Sequence, residues 1–281
     1  MMFYTMVAGW MLNYFVYSLT GQLSGKNVEQ IGGEFNNMLS TPSVMIFWTL
    51  VVVVISILVC SLGLQKGVEK ISKVMMILLF ALMIIMAVNS LLLDGSSEGL
   101  KFYLVPDFSK MKEQGIGNVV FAAMSHAFFT LGLGIGSMEI FGSYLSRDCK
   151  LTGESINVVI LDTVVALTAG IIIIPACFAY GINPGAGPSL LFITLPNVFN
   201  QMPGGVIWEV LFFIFMAFAA LSTVIAVYEN IIAMTMDLFN CSRKRASLVN
   251  LFVISVLCMP AVLGYNVLSG VQPLGAGTTI M

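Results

Sequence analysis

The sequence FFTLGLGIGS, residues 128–137, decides how this chain folds, because it places Gly132, Gly134 and Gly136 inside a long apolar stretch. Glycine adopts backbone conformations that other residues avoid, so these alternate glycines predict a membrane-length helix that breaks near its middle. Backbone that leaves a helix inside a membrane is tolerated only where protein or a water-filled cavity satisfies its polar groups. The break is therefore the first place to look for a binding site.

The same glycines allow a second interpretation. Gly132 and Gly136 form a GxxxG pair, which is typical of the packing face of an unbroken membrane helix. Taken alone, helix packing is the better explanation of that pair. The third glycine, the adjoining Thr130 and the ionisable residues of neighbouring apolar segments together favour unwinding.

The composition is that of a membrane protein. Of 281 residues, 58% are hydrophobic and 9% are charged, and the mean hydropathy is +0.98, whereas a soluble domain carries about 25% charged residues. The net charge of −2 provides no basic surface, so nucleic-acid partners are not expected. We predict an all-α integral membrane protein whose solvent is the lipid bilayer.

Seven apolar segments are long enough to span, given that about 20 helical residues cross a hydrocarbon layer of about 30 Å. The fourth contains the glycine break. The first lacks the cationic region and the cleavage site of a signal peptide, so we interpret it as a mature helix. The predicted spans are residues 1–20, 43–65, 74–93, 118–146, 154–181, 206–238 and 246–266.

The positive charges predict the orientation of these spans. Eight of the twelve Lys and Arg residues lie in the connections after spans two, four and six, and four lie on the opposite side. By the positive-inside rule the N-terminus is cytoplasmic and the tail, 267–281, is external. We expect a multi-pass protein of the cell (plasma) membrane.

Two of the predicted external connections are long. Residues 95–117 are polar and predict an ordered external loop. Residues 182–205 contain an apolar run at 190–199 that is too short to span. This run is equally compatible with a lid on the external side and with a loop packed on the outer helix ends.

Carboxylates inside the apolar segments are candidate functional groups. Asp162 lies in a span without Lys or Arg, and a carboxylate at that depth needs a cation or a polar cavity. The alternative is a protonated, hydrogen-bonded Asp. Asp237 lies near the predicted cytoplasmic end of span six, where a solvated or salt-bridged role is the simpler explanation. The roles of Glu139 and Glu229 are left open.

A second polar group lies upstream in span six. Ala219, Ser222 and Thr223 are spaced i, i+3 and i+4, so they share one helix face and present two hydroxyls and a carbonyl. Such uncharged oxygens suit a small monovalent cation. By themselves they are weak support for a site, because Ser and Thr in membrane helices most often bond back to a carbonyl of their own helix.

Other chemistries find no support in the sequence. The single histidine, His126, has no carboxylate or cysteine at metal-ligand spacing, so we expect it to line or brace a cavity, without a transition metal. There is no HExxH zinc signature and no GxSxG elbow. An enzyme is not expected.

Five motifs resemble, in the same order, those of one known family. The run FFTLGLGIGSMEIFGSY, residues 128–144, resembles the broken sixth helix of the neurotransmitter:sodium symporter family, in its bacterial amino-acid transporter branch. The other motifs resemble the third helix, the seventh helix, an external loop and the eighth helix. They are FYTMVAGW (3–10), LDTVVALTAG (161–170), LPNVFNQMPGG (195–205) and ALSTVIAVYE (220–229).

The resemblance covers essentially the whole chain and implies an inverted-repeat fold. Residues 1–94 correspond to the remainder of the first repeat, 95–117 to an external loop and 118–266 to most of the second repeat, followed by the tail. The match runs from the family's third helix to its ninth, so the resemblance implies a chain truncated at both ends.

The resemblance also implies a substrate site for an amino acid. The Tyr4 hydroxyl holds the substrate carboxylate, backbone carbonyls of Phe129, Thr130 and Gly132 receive the amine, and the Phe129 ring covers the pocket. Little bulk near the unwound region implies an apolar or aromatic substrate. The implied substrate-binding residues are Tyr4, Phe129, Thr130, Gly132, Ile135 and Val227.

Sodium sites and a gate follow from the same resemblance. Thr130 and Asp162 correspond to ligands of the first sodium site, and the face formed by Ala219, Ser222 and Thr223 corresponds to the second. No other cofactor is implied. The implied cytoplasmic gate consists of Tyr144 and Asp237.

Two departures from the family bear on function. Asp162 stands where the family commonly has Asn, and Ala166 stands where chloride-dependent members have serine, so we predict chloride independence. The sequence supports a sodium-coupled secondary transporter, a symporter, of an amino acid. The alternative is a non-transporting membrane remnant or interaction module derived from such a transporter.

Overall fold

The computed structural model describes residues 1–62, 69–143, 145, 150–179, 181 and 190–271. These residues form α-helices and one π-helical turn, Leu190–Thr194, and contain no β-strand. The helices are α1 (Met2–Leu19), α2 (Val28–Ser40), α3 (Pro42–Ser61), α4 (Glu69–Leu91), α5 (Ser96–Leu104), α6 (Phe108–Gln114), α7 (Ile116–Thr130), α8 (Ser137–Ser143), α9 (Leu151–Ala179), α10 (Leu195–Gln201), α11 (Gly205–Phe239) and α12 (Arg243–Leu263).

Most described residues of each predicted span lie on helices, apart from the break in the fourth, and the fold prediction is confirmed. By length and composition, α3, α9, α11 and α12 are each able to cross a membrane. A fifth span results if Met76–Leu91 and Ser96–Leu104, which meet at 116°, count as one. The apolar helix α7 is shorter because the glycine stretch follows Thr130 directly.

Spatial contacts divide the chain into two compact units. The first unit consists of Met1–Leu82 with Gly185–Met281, and the second of Met83–Pro184. In the first unit α1 packs against α3, α11 and α12. The predicted repeat boundaries at residues 94, 117 and 266 follow a different criterion and stay a prediction.

Close approach of α1 and α3 depends on Gly9. A side-chain carbon at Gly9 would lie 3.0 Å from the backbone carbonyl carbon of Trp48, so a larger residue would push the helices apart. Next to this contact the core is aromatic. The Tyr14 ring lies 4.9 Å from Phe192 and 5.2 Å from Phe213, and the Phe35 and Phe192 rings stack at 5.3 Å.

The described part of the predicted lid, residues 190–204, is a packed segment. Its π-helical turn contacts α2, and α10 contacts α11. The side chain of Asn200 ties it to the turn after α1, because its Nδ2 donates to the carbonyls of Leu23 at 2.8 Å and Lys26 at 3.2 Å. Its Oδ1 accepts from the Gly25 amide at 3.2 Å. The described residues are thus in contact with neighbouring helices, and a lid on the external side stays a prediction.

In the second unit, α5 lies on α9. Gly99 permits this contact, because a side-chain carbon there would lie 2.6 Å from the Cα of Pro175. The Ser90 hydroxyl donates to the carbonyl of Ile172 at 2.8 Å, and the Phe102 and Phe178 rings lie 5.2 Å apart. The part of the connection at 96–104 is thus packed on α9, and an external loop over 95–117 stays a prediction.

Candidate functional site

The helix that contains residues 128–137 is broken. The helix α7 ends at Thr130 and α8 begins at Ser137. Between them Gly132, Gly134 and Gly136 have φ values of 63°, 81° and 82°, which lie in the left-handed region that glycine occupies without strain. The unwinding prediction is confirmed, and an unbroken GxxxG helix does not describe this segment.

The unwinding brings backbone carbonyls to the end of α7. A helix leaves its last four carbonyls without intrahelical partners. In the turn that follows, the Phe129 carbonyl accepts from the Gly132 amide at 3.1 Å, and the Gly132 carbonyl accepts from the Ile135 amide at 3.3 Å. Each carbonyl oxygen has a second lone pair available to a ligand. The Phe129 ring is 72% exposed.

The structure brings together Thr130 and Asp162, which are 32 residues apart. The Thr130 hydroxyl lies 3.1 Å from Oδ1 and 3.3 Å from Oδ2 of Asp162, and donates to that carboxylate. Asp162 is half-buried on α9. The helix break thus begins beside a carboxylate. Hydroxyl, carboxylate and carbonyl oxygens therefore lie at one place in the second unit.

The face of Ala219, Ser222 and Thr223 lies on α11 in the first unit. The Ser222 hydroxyl donates to the Ala219 carbonyl at 2.8 Å, and the Thr223 hydroxyl donates to it at 3.4 Å. This is the bonding back to the helix carbonyl that makes the triplet weak on its own. These bonds use only the hydroxyl protons, so each hydroxyl oxygen keeps its lone pairs. A cation at this face would bind through those oxygens.

Tyr4 and Val227 lie at the same level of the first unit. Their sequence neighbours, Thr5 and Tyr228, are fully buried and share a hydrogen bond between hydroxyls at 3.0 Å. Tyr4 is half-buried on α1, and Val227 is 5% exposed on α11. A pair of buried hydroxyls thus fixes the register of the two helices at this level.

The remaining candidate residues either are exposed or lie outside the described residues. Asp237 is exposed near the end of α11, and its predicted gate partner Tyr144 lies outside the described residues. Glu139 is exposed in the first turn of α8, where the helix dipole favours an acid. The His126 side chain is exposed on α7.

Sequence reasoning missed the partner of Glu229. This carboxylate is fully buried, and both its oxygens accept from Arg243 at 2.8 Å. Arg243 also donates to the carbonyl of Cys60 at 3.0 Å, so the contact joins α11, α12 and α3. The available signal was an arginine just before the predicted span 246–266, at the start of a helix, where the helix dipole disfavours a cation.

Sequence reasoning also missed Glu209. This acid lies within the predicted span 206–238 and is 2% exposed. The signal that drew attention to Asp162, a carboxylate inside an apolar segment, applied equally to Glu209.

Comparison with known proteins gives a consistent result. The model of the sodium:neurotransmitter symporter family matches residues 26–272. An uncharacterized sodium-dependent transporter of Bacillus subtilis, YhdH, is 37% identical over 97% of this chain and 60% of its own length. An uncharacterized sodium-dependent transporter of Haemophilus influenzae is 33% identical over 98% of this chain and 60% of its own length.

A solved structure shares the fold. The crystal structure of MhsT in complex with L-phenylalanine superposes with a TM-score of 0.89 at 39% identity. The match covers 99% of this chain and 62% of the other. The chain thus spans about three fifths of the length of the relatives that it matches.

Proposed function

Because this chain belongs to the sodium:neurotransmitter symporter family, we propose that it acts as a sodium-coupled secondary transporter of an amino acid. The family and the fold are those of membrane transporters, not of enzymes. The protein is a multi-pass membrane protein. Coupling uptake to the inward flow of sodium requires that sodium and substrate bind next to each other, and the broken helix offers oxygen ligands for both.

The contact between Thr130 and Asp162 carries this proposal. Sodium is a hard cation that prefers oxygen ligands, and a carboxylate beside a hydroxyl and helix-end carbonyls supplies them. The hydrogen bond of 3.1 Å holds the two side chains together beside the unwound turn. A first sodium site at this position gives the intramembrane carboxylate the positive partner that its depth requires.

The face of Ala219, Ser222 and Thr223 is the proposed second sodium site. Its oxygens are uncharged, so it suits a monovalent rather than a divalent ion. The two hydroxyl bonds to the Ala219 carbonyl gather three oxygens on one face of α11. A ligand set in each unit is what the family resemblance implies.

We propose an apolar or aromatic amino acid as the substrate. The similar protein MhsT was crystallised with L-phenylalanine. In this chain, Gly132 has no side chain, and Ile135 and Val227 are apolar, so the proposed substrate-binding residues favour an apolar side chain. Tyr4 provides the hydroxyl for the carboxylate, and the exposed ring of Phe129 provides an aromatic cover.

Chloride independence is part of the proposal. Asp162 carries a negative charge where the family commonly has a neutral Asn, so a separate anion near the first sodium is unnecessary. Asp162→Asn should make transport depend on chloride, measured as the ratio of uptake in chloride to uptake in gluconate. A ratio unchanged from that of the wild type would contradict the proposed role of the charge.

The orientation and the gate complete the proposal. The positive-inside distribution supports a plasma-membrane protein with a cytoplasmic N-terminus and an external C-terminal tail. The exposed Asp237, near the end of α11, is then available at the cytoplasmic face to pair in a gate with Tyr144. Residues 1–94 and 118–266 would belong to the two inverted repeats.

Reconstitution tests the function directly. The purified chain is incorporated into liposomes, and uptake of labelled phenylalanine and leucine is measured with an inward sodium gradient and with choline instead. We expect sodium-dependent uptake that Asp162→Ala abolishes and that Thr163→Val, a change on the same helix, preserves. Uptake that is absent, or equal without sodium, both for this chain and for one extended to the length of its relatives would refute symport and favour the non-transporting membrane remnant or interaction module.

A further inference from the structure

The two buried glutamates of α11 differ in how their charge is compensated. Glu229 is fully buried and has the bidentate contact with Arg243. Glu209 is 2% exposed, and no hydrogen-bond partner for its Oε1 occurs among the described residues. A buried carboxylate without a positive partner is strongly unfavourable. Glu209 therefore requires a nearby positive charge that is not a side chain such as Arg243.

Oxygens from α1 surround this carboxyl. The two helices run antiparallel, because Thr5 contacts Tyr228 and Tyr14 contacts Phe213. One turn beyond that ring contact, the Ser18 hydroxyl lies close enough to interact with Glu209. Tyr14, whose ring contacts Phe213 one turn from Glu209, is fully buried, and its hydroxyl has no hydrogen-bond partner in the part of the chain that the structure describes.

The Ser18 hydroxyl has two acceptors beside it. It donates its one proton to the Tyr14 carbonyl at 2.8 Å. The same hydroxyl is in hydrogen-bond contact with the Glu209 carboxyl, so that proton is shared between two acceptors. One shared proton compensates a buried carboxylate only in part, whereas a positive charge placed between the two oxygens binds both.

Among the residues that the structure describes, neighbouring charged side chains do not supply that charge. Glu34, on α2, adds a second negative charge near the Tyr14 hydroxyl. The cation beside Glu34 is Lys26, which forms a salt bridge with it at 2.5 Å. Tyr17, the other titratable group acting on Tyr14, provides no positive charge.

We propose that Glu209, with the hydroxyls of Ser18 and Tyr14, binds one monovalent cation, either a sodium ion or a proton. One carboxylate with neutral hydroxyl oxygens balances a single positive charge. No cluster of three or more His, Cys, Asp or Glu side chains arranged to hold a metal occurs in the described ranges, which disfavours a divalent ion. The site is separate from Thr130, Asp162 and the face around Ala219.

Two further buried donors share the α1 face of Tyr14. Trp10, Asn13 and Tyr14 lie on one face of α1, and the Trp10 Nε1 and Asn13 Nδ2 donors are buried without partners among the residues described. Buried donors of this kind are usually satisfied by internal water. Internal water on this face would supply the additional ligands that a sodium ion needs, or the acceptor for a protonated carboxyl.

Infrared spectroscopy tests the proposal. The chain is placed in lipid nanodiscs at neutral pH, and spectra are recorded in sodium chloride and in choline chloride. In an Asp162→Asn background, which removes the carboxylate of the proposed first sodium site, a sodium site at Glu209 predicts a sodium-dependent shift of one remaining carboxylate band. A proton site predicts one protonated carboxyl band that is insensitive to sodium. Either band should be lost in Glu209→Gln and retained in Glu113→Gln, a matched change on an exposed side chain.

The result that overturns the proposal is an ionised Glu209 whose band does not respond to sodium. If Glu209→Gln fails to fold, Tyr14→Phe and Ser18→Ala serve in its place. Each should shift, without removing it, the carboxyl band that the site predicts, because each removes one oxygen from the surroundings of the Glu209 carboxyl. An unshifted band in both variants would contradict the site.

Discussion

The buried ion pair of Glu229 and Arg243 permits a quantitative prediction. Arg243→Met leaves the Glu229 carboxylate buried, and removing one partner of a buried pair costs about 3–5 kcal/mol. The side chain of Arg243 is 27% exposed and that of Glu229 is 0% exposed, so water partly screens the pair. We therefore expect a loss at the lower end, about 3 kcal/mol in the free energy of unfolding.

The double variant Glu229→Met with Arg243→Met should recover most of this loss. It leaves no uncompensated charge, and replacing a buried pair by apolar side chains is often close to neutral, within about 1 kcal/mol of wild type. The bond from Arg243 to the Cys60 carbonyl is lost in both variants, so it does not explain a difference between them. The coupling energy from the double-mutant cycle isolates the ion pair.

Unfolding of the purified chain by detergent in mixed micelles, followed by tryptophan fluorescence, measures these differences. The three tryptophans, Trp10, Trp48 and Trp208, all lie in the unit that contains the pair. The matched control is Lys110→Met, which breaks an exposed salt bridge to Asp107 and should cost about 1 kcal/mol or less. The reasoning is refuted if Arg243→Met costs no more than Lys110→Met, or if the double variant is as unstable as Arg243→Met.

Three further variants test the site and the packing. Thr130→Val removes a hydroxyl from the proposed first sodium site and should weaken the apparent sodium affinity about tenfold in substrate-binding titrations. Thr163→Val should leave that affinity unchanged. Gly99→Ala forces α5 off α9 and should lower the free energy of unfolding by about 1–3 kcal/mol. Gly33→Ala, in open space on α2, should raise it by about 0.5–1 kcal/mol; equal effects of the two would contradict the packing argument. Asn200→Ala removes three hydrogen bonds and should speed amide exchange in the turn after α1 about fivefold or more, at about 1 kcal/mol; unchanged exchange would show that Asn200 does not hold the segment.

Several features could be predicted from the sequence because they depend on local composition. The lengths of the apolar runs predict where the long helices lie, and four of these helices, or five if the bent pair counts as one, are able to cross a membrane. Three glycines predict the break, since their positive φ values are conformations that other residues avoid. The roles of Thr130 and Asp162 came from the family resemblance, because no local pattern relates residues 32 positions apart.

What the sequence by itself determined is the membrane class, the helices and the point at which one of them unwinds. Only the tertiary structure decided the surroundings of each buried carboxyl. It pairs Glu229 with Arg243, places Thr130 against Asp162, and leaves Oε1 of Glu209 without a hydrogen-bond partner among the described residues. The physical reason is that helix formation follows local apolar runs and backbone preferences. The partner of a buried charge depends instead on the rotation and register of helices distant in sequence.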